Sequence, residues 1–225
     1  MLIEAINKNY EKLNESDIRN DFLNTCQQVE SSANLLKIAK EIRKSQNVVY
    51  GTGQAQSHCA MEMQRLFVQM NKYIYYVGAS DELYMLSKNL GPDDLVIVIS
   101  LSGNVQKIKV TLQLLHLKKV KLVSITNLQS NLLAGMSDYS LYAVSNPVKI
   151  GEHLYHNSFV NFLTVIEYVF LSYIEVSEGQ SPSIYLFSTV FRNISYPDLS
   201  MRTDSPLPLG TSVISLELSQ YKQEI

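Results

Sequence analysis

The chain has 225 residues, enough for one α/β domain with extras and a sizeable core. Its net charge of −2 gives no basic face of the kind that nucleic-acid binders carry. The two cysteines, Cys26 and Cys59, stand far apart and without metal-ligand spacing, so they read as reduced thiols of a cytoplasmic protein.

Residues 1–25 are polar and charged, which excludes a visible signal peptide. Residues 1–13 place Leu2, Ile3, Ile6, Tyr10 and Leu13 at helical spacing. Residues 14–17 read as a stop followed by a new cap, and 17–45 as mostly helical. Ser31 or Ser32 is the expected cap of a second segment carrying Leu35, Leu36, Ile38, Ala39 and Ile42, with Arg43 and Lys44 at its C-terminal end.

A strand-helix rhythm follows. Strands are expected at 47–50, 73–77, 95–99, 120–126 and 139–144. Helices are expected at 58–70, 80–88, 105–117 and 153–174, with a short helical turn at 130–134. Strands alternating with helices predict an α/β fold, a three-layer α/β/α sandwich around a five-stranded parallel sheet. The run 95–99 is apolar throughout and rich in β-branched residues, as in a strand buried on both faces.

Two turns carry glycine and hydroxyl chemistry: 51–57 after the first strand and 100–104 after the third. In the flavodoxin-like order 2-1-3-4-5 those strands are neighbours at the switch point, where the two following loops part and leave a crevice. Backbone N–H groups and a helix N-terminus there are suited to an anion. Gly51, Gly53, Gln54, Ser57, Ser100, Ser102, Gly103 and Asn104 are therefore the candidate ligand residues. Each also has a plainer reading as turn or N-cap chemistry. For Ser57, facing an anion and capping an internal carbonyl stand equal.

Glu152, His153 and His156 form the one Glu/His cluster, at the expected start of the last helix. Glu152 and His153 are the weak catalytic candidates, as base and acid. The alternative is a solvated helix start. No third ligand accompanies the two histidines, so no metal site is expected. His58 and His116 read as surface or core-edge residues. The longest apolar stretch, 159–173, is interrupted by Asn161, Thr164 and Glu167 and reads as too short and too polar to cross a membrane. Its apolar face exceeds one helix stripe, so it is expected against the sheet, a partner subunit or both.

Gly51-Thr52-Gly53 resembles the Gly-x-Gly turn of sugar isomerase (SIS) domains, and Ile99-Ser100-Leu101-Ser102-Gly103 resembles their Ile-Ser-x-Ser-Gly turn. Residues 83–96 also fit that family's approach to the third strand. Residues 6–17 are similar to the opening of RpiR/MurR-type transcriptional regulators. The resemblance implies a bacterial phosphosugar-binding sensor domain over residues 31–175, preceded by a remnant of the regulator N-terminus (1–30) and followed by an extension of unassigned role (176–225). The further helices of the helix-turn-helix domain do not follow residue 17, so DNA binding by this chain alone is not expected. The implied partner is a sugar phosphate or amino-sugar phosphate, and the implied assembly a homodimer or homotetramer. No cofactor is implied.

The family's Ser two residues after the second turn glycine is Ala55 here, and its Thr at the end of Ser-x-Ser-Gly-x-Thr is Val105. Two hydroxyl donors to a phosphate are thereby absent, with Gln54, Gln56 or Ser57 as substitutes. A sensor that binds without chemistry is the leading expectation. A sugar-phosphate isomerase using Glu152 and His153 is the alternative, and a degenerate sensor acting only through association with relatives is a third. The last segment holds four of the six prolines (Pro182, Pro197, Pro206, Pro208). Its runs 184–191 and 211–218 are strand-like.

Overall fold

A computed structural model describes residues 15–149, 152 and 154–178. The expectations for 1–13, 153, 184–191 and 211–218 lie outside the described residues. Two helices open the fold, α1 (Glu15–Glu30) and α2 (Leu35–Lys44). Next come β1 (Gln46–Gly51), α3 (Gln54–Val68), β2 (Ile74–Val77), α4 (Ser80–Ser87) and β3 (Asp94–Ser100). A single 3-10 turn, Gln106–Ile108, leads into α5 (Lys109–Leu117). Then follow β4 (Lys121–Asn127), α6 (Leu132–Met136), β5 (Tyr139–Ala143), the short β6 (Val148–Lys149) and β7 (Tyr155–His156), and α7 (Val160–Glu178).

The five long strands form one parallel sheet in the order β2-β1-β3-β4-β5, as expected. β6 and β7 pair separately as an antiparallel ribbon. Alternation along β3 divides the interior into two cores. Leu95, Ile97 and Ile99 face one side, with Ile38 and Ile42 of α2, Met63 and Phe67 of α3, and Phe162, Ile166 and Val169 of α7. Val96 and Val98 face the other, with Leu83 of α4, Ile108, Leu112 and Leu115, and Leu133 of α6. The unbroken apolar run of β3 is thus two half-runs with a period of two, each facing its own helical layer.

The first core is locked by aromatic rings. Phe67, fully buried, lies 5.3 Å from Phe170 in an edge-on arrangement and 5.0 Å from Tyr173. α1 is tied to the same domain by buried polar groups. The Asp21 carboxylate accepts from the Asn146 backbone N–H at 2.8 Å and from Asn146 Nδ2 at 2.6 Å. Thr25 Oγ1 accepts from Val144 N–H at 2.9 Å while donating to Asp21 O at 2.8 Å. Tyr168 OH donates to Glu30 Oε1 at 2.7 Å.

Several boundaries differ from the sequence expectation. α2 is preceded by Asn34, not by Ser31 or Ser32. Ser31 Oγ instead donates backward to Gln27 O at 2.7 Å and closes the end of α1. α3 starts at Gln54 rather than at 58, because its first turn carries no large apolar residue to reveal it. α7 starts at Val160 rather than at 153, the preceding residues being spent on the β6–β7 ribbon. It runs 19 residues, a length and composition that a buried core helix shares with a membrane span. Half of that window is buried in this fold, against the sheet, α2 and α3.

Candidate functional site

The first turn is built by close approach. Gly51, the last residue of β1 in the ladder, pairs with Ile99, and Thr52 N–H extends the ladder by donating to Ile99 O at 3.0 Å. A Cβ on Gly51 would lie 2.3 Å from the backbone C of Gln56 and 2.3 Å from the backbone N of Ser57. The first turn of α3 therefore lies directly on the strand end, at a distance only glycine permits. Gly53 is extended and serves as the N-cap, with no side-chain cap and no acidic residue in the first helical turn. The N–H groups of Gln54, Ala55 and Gln56 have no carbonyl a turn earlier within the helix. Ser57 Oγ turns inward and donates to Gly51 O at 3.3 Å, so of its two expected roles it takes the capping one.

The second turn is held by side chains. Ser100 is fully buried. Its Oγ accepts from Thr52 Oγ1 at 3.1 Å and from Gly103 N–H at 3.1 Å, which joins the two turns through one hydroxyl. Gly103 has φ +64°, the left-handed region that favours glycine. Leu133 N–H donates to its carbonyl at 3.2 Å. Ser102 Oγ accepts from Asn104 N–H at 3.2 Å, and Asn104 Oδ1 from Gln106 N–H at 3.3 Å. α5 begins only at Lys109, so no α-helix N-terminus meets this turn, contrary to the helix expected from 105. Val105, where a helix had been expected to begin, is 1% exposed and belongs to the second core.

Between the turns lies a cleft of about 370 Å³, lined by Tyr50, Thr52, Gln56, Ser102, Asn104, Val105, Gln106, Lys107 and Ile108. It opens where β1 and β3, neighbours in the sheet, send their chains to opposite sides, the position expected of a ligand site in an open α/β sheet. A larger hollow of about 510 Å³ lies at the other end of β1 and β2, around Ser45, Asn47, Gln64, Lys72 and Tyr73. Its one cation, Lys72, is committed to Ser45 O at 2.8 Å and Arg43 O at 3.3 Å. The smaller cleft is the one flanked by the two glycine turns and lined by hydroxyl and amide side chains.

Residues 41–172 match the SIS domain family, more than half of the chain. The chain belongs to that family. The chain is 33% identical over 132 residues to the HTH-type transcriptional regulator GlvR of Bacillus subtilis (strain 168), a match covering 59% of this chain and 52% of GlvR. The chain thus spans about half the length of that relative. Among solved structures, Vibrio vulnificus NanR complexed with ManNAc-6P superimposes with a TM-score of 0.61 at 15% identity, covering 83% of this chain and 72% of that one. The sugar isomerase domain of the RpiR transcription factor from Sphaerobacter thermophilus gives 0.61 at 16%, covering 81% and 99%. An E. coli CFT073 protein in complex with A5P gives 0.56 at 20%, covering 78% and 100%. At these identities the structural likeness establishes the fold.

Of the candidate residues, Ser102 and Asn104 line the SIS-domain cleft, and Gly51, Gly53 and Gly103 shape its turns. Gln54 is exposed on the first turn of α3 and is not part of the lining. Ser100 and Ser57 hold the turns from within. Glu152 is exposed in a bend before α7 and does not line the cleft, and His153 lies outside the described residues. His156 sits in β7, so the helical i, i+3 pairing of the two histidines does not form. Among the described residues, no three His, Cys, Asp or Glu converge as a metal site. Cys59 is buried and its thiol pushed up to about 11 by burial, and Cys26 is also raised, first by burial. Neither has the lowered pKa of a reactive thiol.

Thr52, Gln56, Gln106 and Lys107 were missing from the candidate set. Thr52 was legible as the hydroxyl between the two glycines. Gln56, read from the sequence only as a substitute donor, joins the lining because α3 begins at Gln54. Gln106 and Lys107 enter because the chain makes a single 3-10 turn at the cleft edge instead of continuing as an α-helix.

Proposed function

We propose that this SIS domain is a sensor module that binds a sugar phosphate or amino-sugar phosphate and does no chemistry on it. One observation carries the reading: a cleft at the sheet's switch point, bounded by two glycine turns and lined by hydroxyls, amides and one lysine. The phosphate would take the N–H groups of Gln54, Ala55 and Gln56, together with the hydroxyls of Ser102 and Thr52. Asn104, Gln56 and Gln106 would read the sugar hydroxyls. The ligands in the NanR and E. coli complexes, ManNAc-6P and A5P, support a phosphosugar as the class. GlvR supports a regulatory setting.

Binding without chemistry is favoured over isomerisation by the lining itself. Moving a proton between adjacent sugar carbons needs a base and an acid beside the substrate. The lining residues include no Asp, Glu or His. Glu152, the carboxylate that would have served, stands exposed elsewhere. The test pairs a thermal-shift screen against ManNAc-6P, arabinose 5-phosphate and glucose 6-phosphate with NMR of each sugar after incubation. The reading expects a shift from at least one phosphosugar, none from its unphosphorylated form, loss of the shift in Ser102→Ala, and no conversion. Turnover that survives purification and is lost in Glu152→Gln would replace the sensor with an isomerase.

A further inference from the structure

We propose that Lys107 is the charged anchor for the ligand's phosphate and takes over from the hydroxyls absent at Ala55 and Val105. The inference rests on the phosphosugar reading above. Lys107 is the one cation among the cleft-lining residues. It is exposed, and none of the described residues accepts a hydrogen bond or forms an ion pair with it. Lys72, in the larger hollow, is by contrast spent on two backbone carbonyls.

The local fold explains why the charge is needed here. α3 brings an uncapped N-terminus to the first turn. The second turn has no equivalent, since three residues of 3-10 helix precede α5. Val105 and Ile108, each 1% exposed, pin that short turn to the second core and fix the backbone that carries Lys107 between them. Val105 is spent on packing, so a donor for an anion on this side has to come from the neighbouring positions. On the β1 side the Tyr50 hydroxyl is held above its ordinary range, first by burial and then by Tyr76 and Asp81. Lys107 supplies a full positive charge on the β3 side of the cleft.

The test is calorimetric titration of the full chain, Lys107→Met and Lys107→Arg. The probes are ManNAc-6P, arabinose 5-phosphate, glucose 6-phosphate, their unphosphorylated sugars and inorganic phosphate. Lys107→Met is expected to weaken binding of the preferred phosphosugar and of inorganic phosphate by about 10- to 100-fold, the range for a charge-assisted hydrogen bond. Lys107→Arg should keep most of the affinity. Melting temperatures should be unchanged, since the side chain is exposed and makes no hydrogen bond or ion pair among the described residues. Binding by Lys107→Met within twofold of the parent overturns the inference and leaves the sensor reading intact. An equal loss for an unphosphorylated sugar also overturns it, because Lys107 would then read the sugar. If the parent chain binds none of the probes, the sensor reading fails and this inference with it.

Discussion

Gly103→Ala tests how the second turn is built. The substituted residue must adopt φ +64°, which costs a residue with a Cβ about 1–2 kcal/mol. Its Cβ would also stand 2.2 Å from Cγ and 2.2 Å from Oδ1 of Asn131, so that side chain has to leave. Asn131 is the N-cap of α6: Oδ1 accepts from Ala134 N–H at 2.8 Å, and Nδ2 donates to Thr126 Oγ1 at 3.1 Å and Gln129 O at 2.9 Å. Losing such a cap costs about 1 kcal/mol more. The expected destabilisation is about 2–4 kcal/mol by urea unfolding, a large share of a typical domain's stability. Asn131→Ala alone should cost about 1 kcal/mol, the loss of the cap. The double variant should fall short of the sum of the two by about 1 kcal/mol, since the cap that Gly103→Ala displaces is then already gone while the Cβ at position 131, 2.5 Å away, still clashes. A Gly103→Ala cost under about 0.5 kcal/mol, or strict additivity, refutes this account of the turn.

The two glycines of the first turn should separate. Gly51→Ala drives a Cβ into backbone atoms and should cost at least 3 kcal/mol or block folding (about the size of the larger core defects), seen as a lost unfolding transition. Gly53→Ala meets only the Gln56 side chain, at 2.6 Å from Oε1, and Gly53 is extended. It should keep its midpoint within a few degrees while shifting Gln56 in the cleft and weakening phosphosugar binding. The Cys59 thiol, unfolded near 9.0 and folded near 11, is neutral in the native state where the unfolded chain ionises. Its contribution is fully present below pH 9 and is lost as pH rises toward 11, at up to about 1.4 kcal/mol per pH unit. Native Cys59 should accordingly resist thiol reagents at pH 8, and Cys59→Ala should flatten the alkaline limb of the stability curve. Asp21→Ala leaves the Asn146 N–H groups without their acceptor and should cost about 2 kcal/mol in chemical denaturation.

The sheet was legible in the sequence because β3 is apolar from Leu95 to Ile99 and the other strands are flanked by glycine or polar breaks. The two glycine turns fixed where the cleft had to be. Less legible was what lies inside each turn. Ser100, Ser102 and Ser57 are alike as letters, yet Ser100 and Ser57 face the backbone and Ser102 faces the cleft. That difference depends on Thr52 crossing to Ser100, a contact between residues 48 apart in the chain. The starts of α3 and α7 were misplaced for opposite reasons. The first turn of α3 has no large apolar residue to mark it. Residues 154–159 have apolar letters that suggest helix but include the second strand of a small ribbon instead. With α7 displaced, Glu152 lost the helix start that had made it a catalytic candidate.

The most direct test of the central claim is an amide-resolved NMR titration of the chain with its preferred phosphosugar. Shifts concentrated at Thr52, Gln54 to Gln56 and Ser102 to Lys107, with the sugar recovered unconverted, are the predicted result. Shifts centred on Asn47, Lys72 and Tyr73 around the larger hollow, or no shifts at saturating phosphosugar, would contradict it.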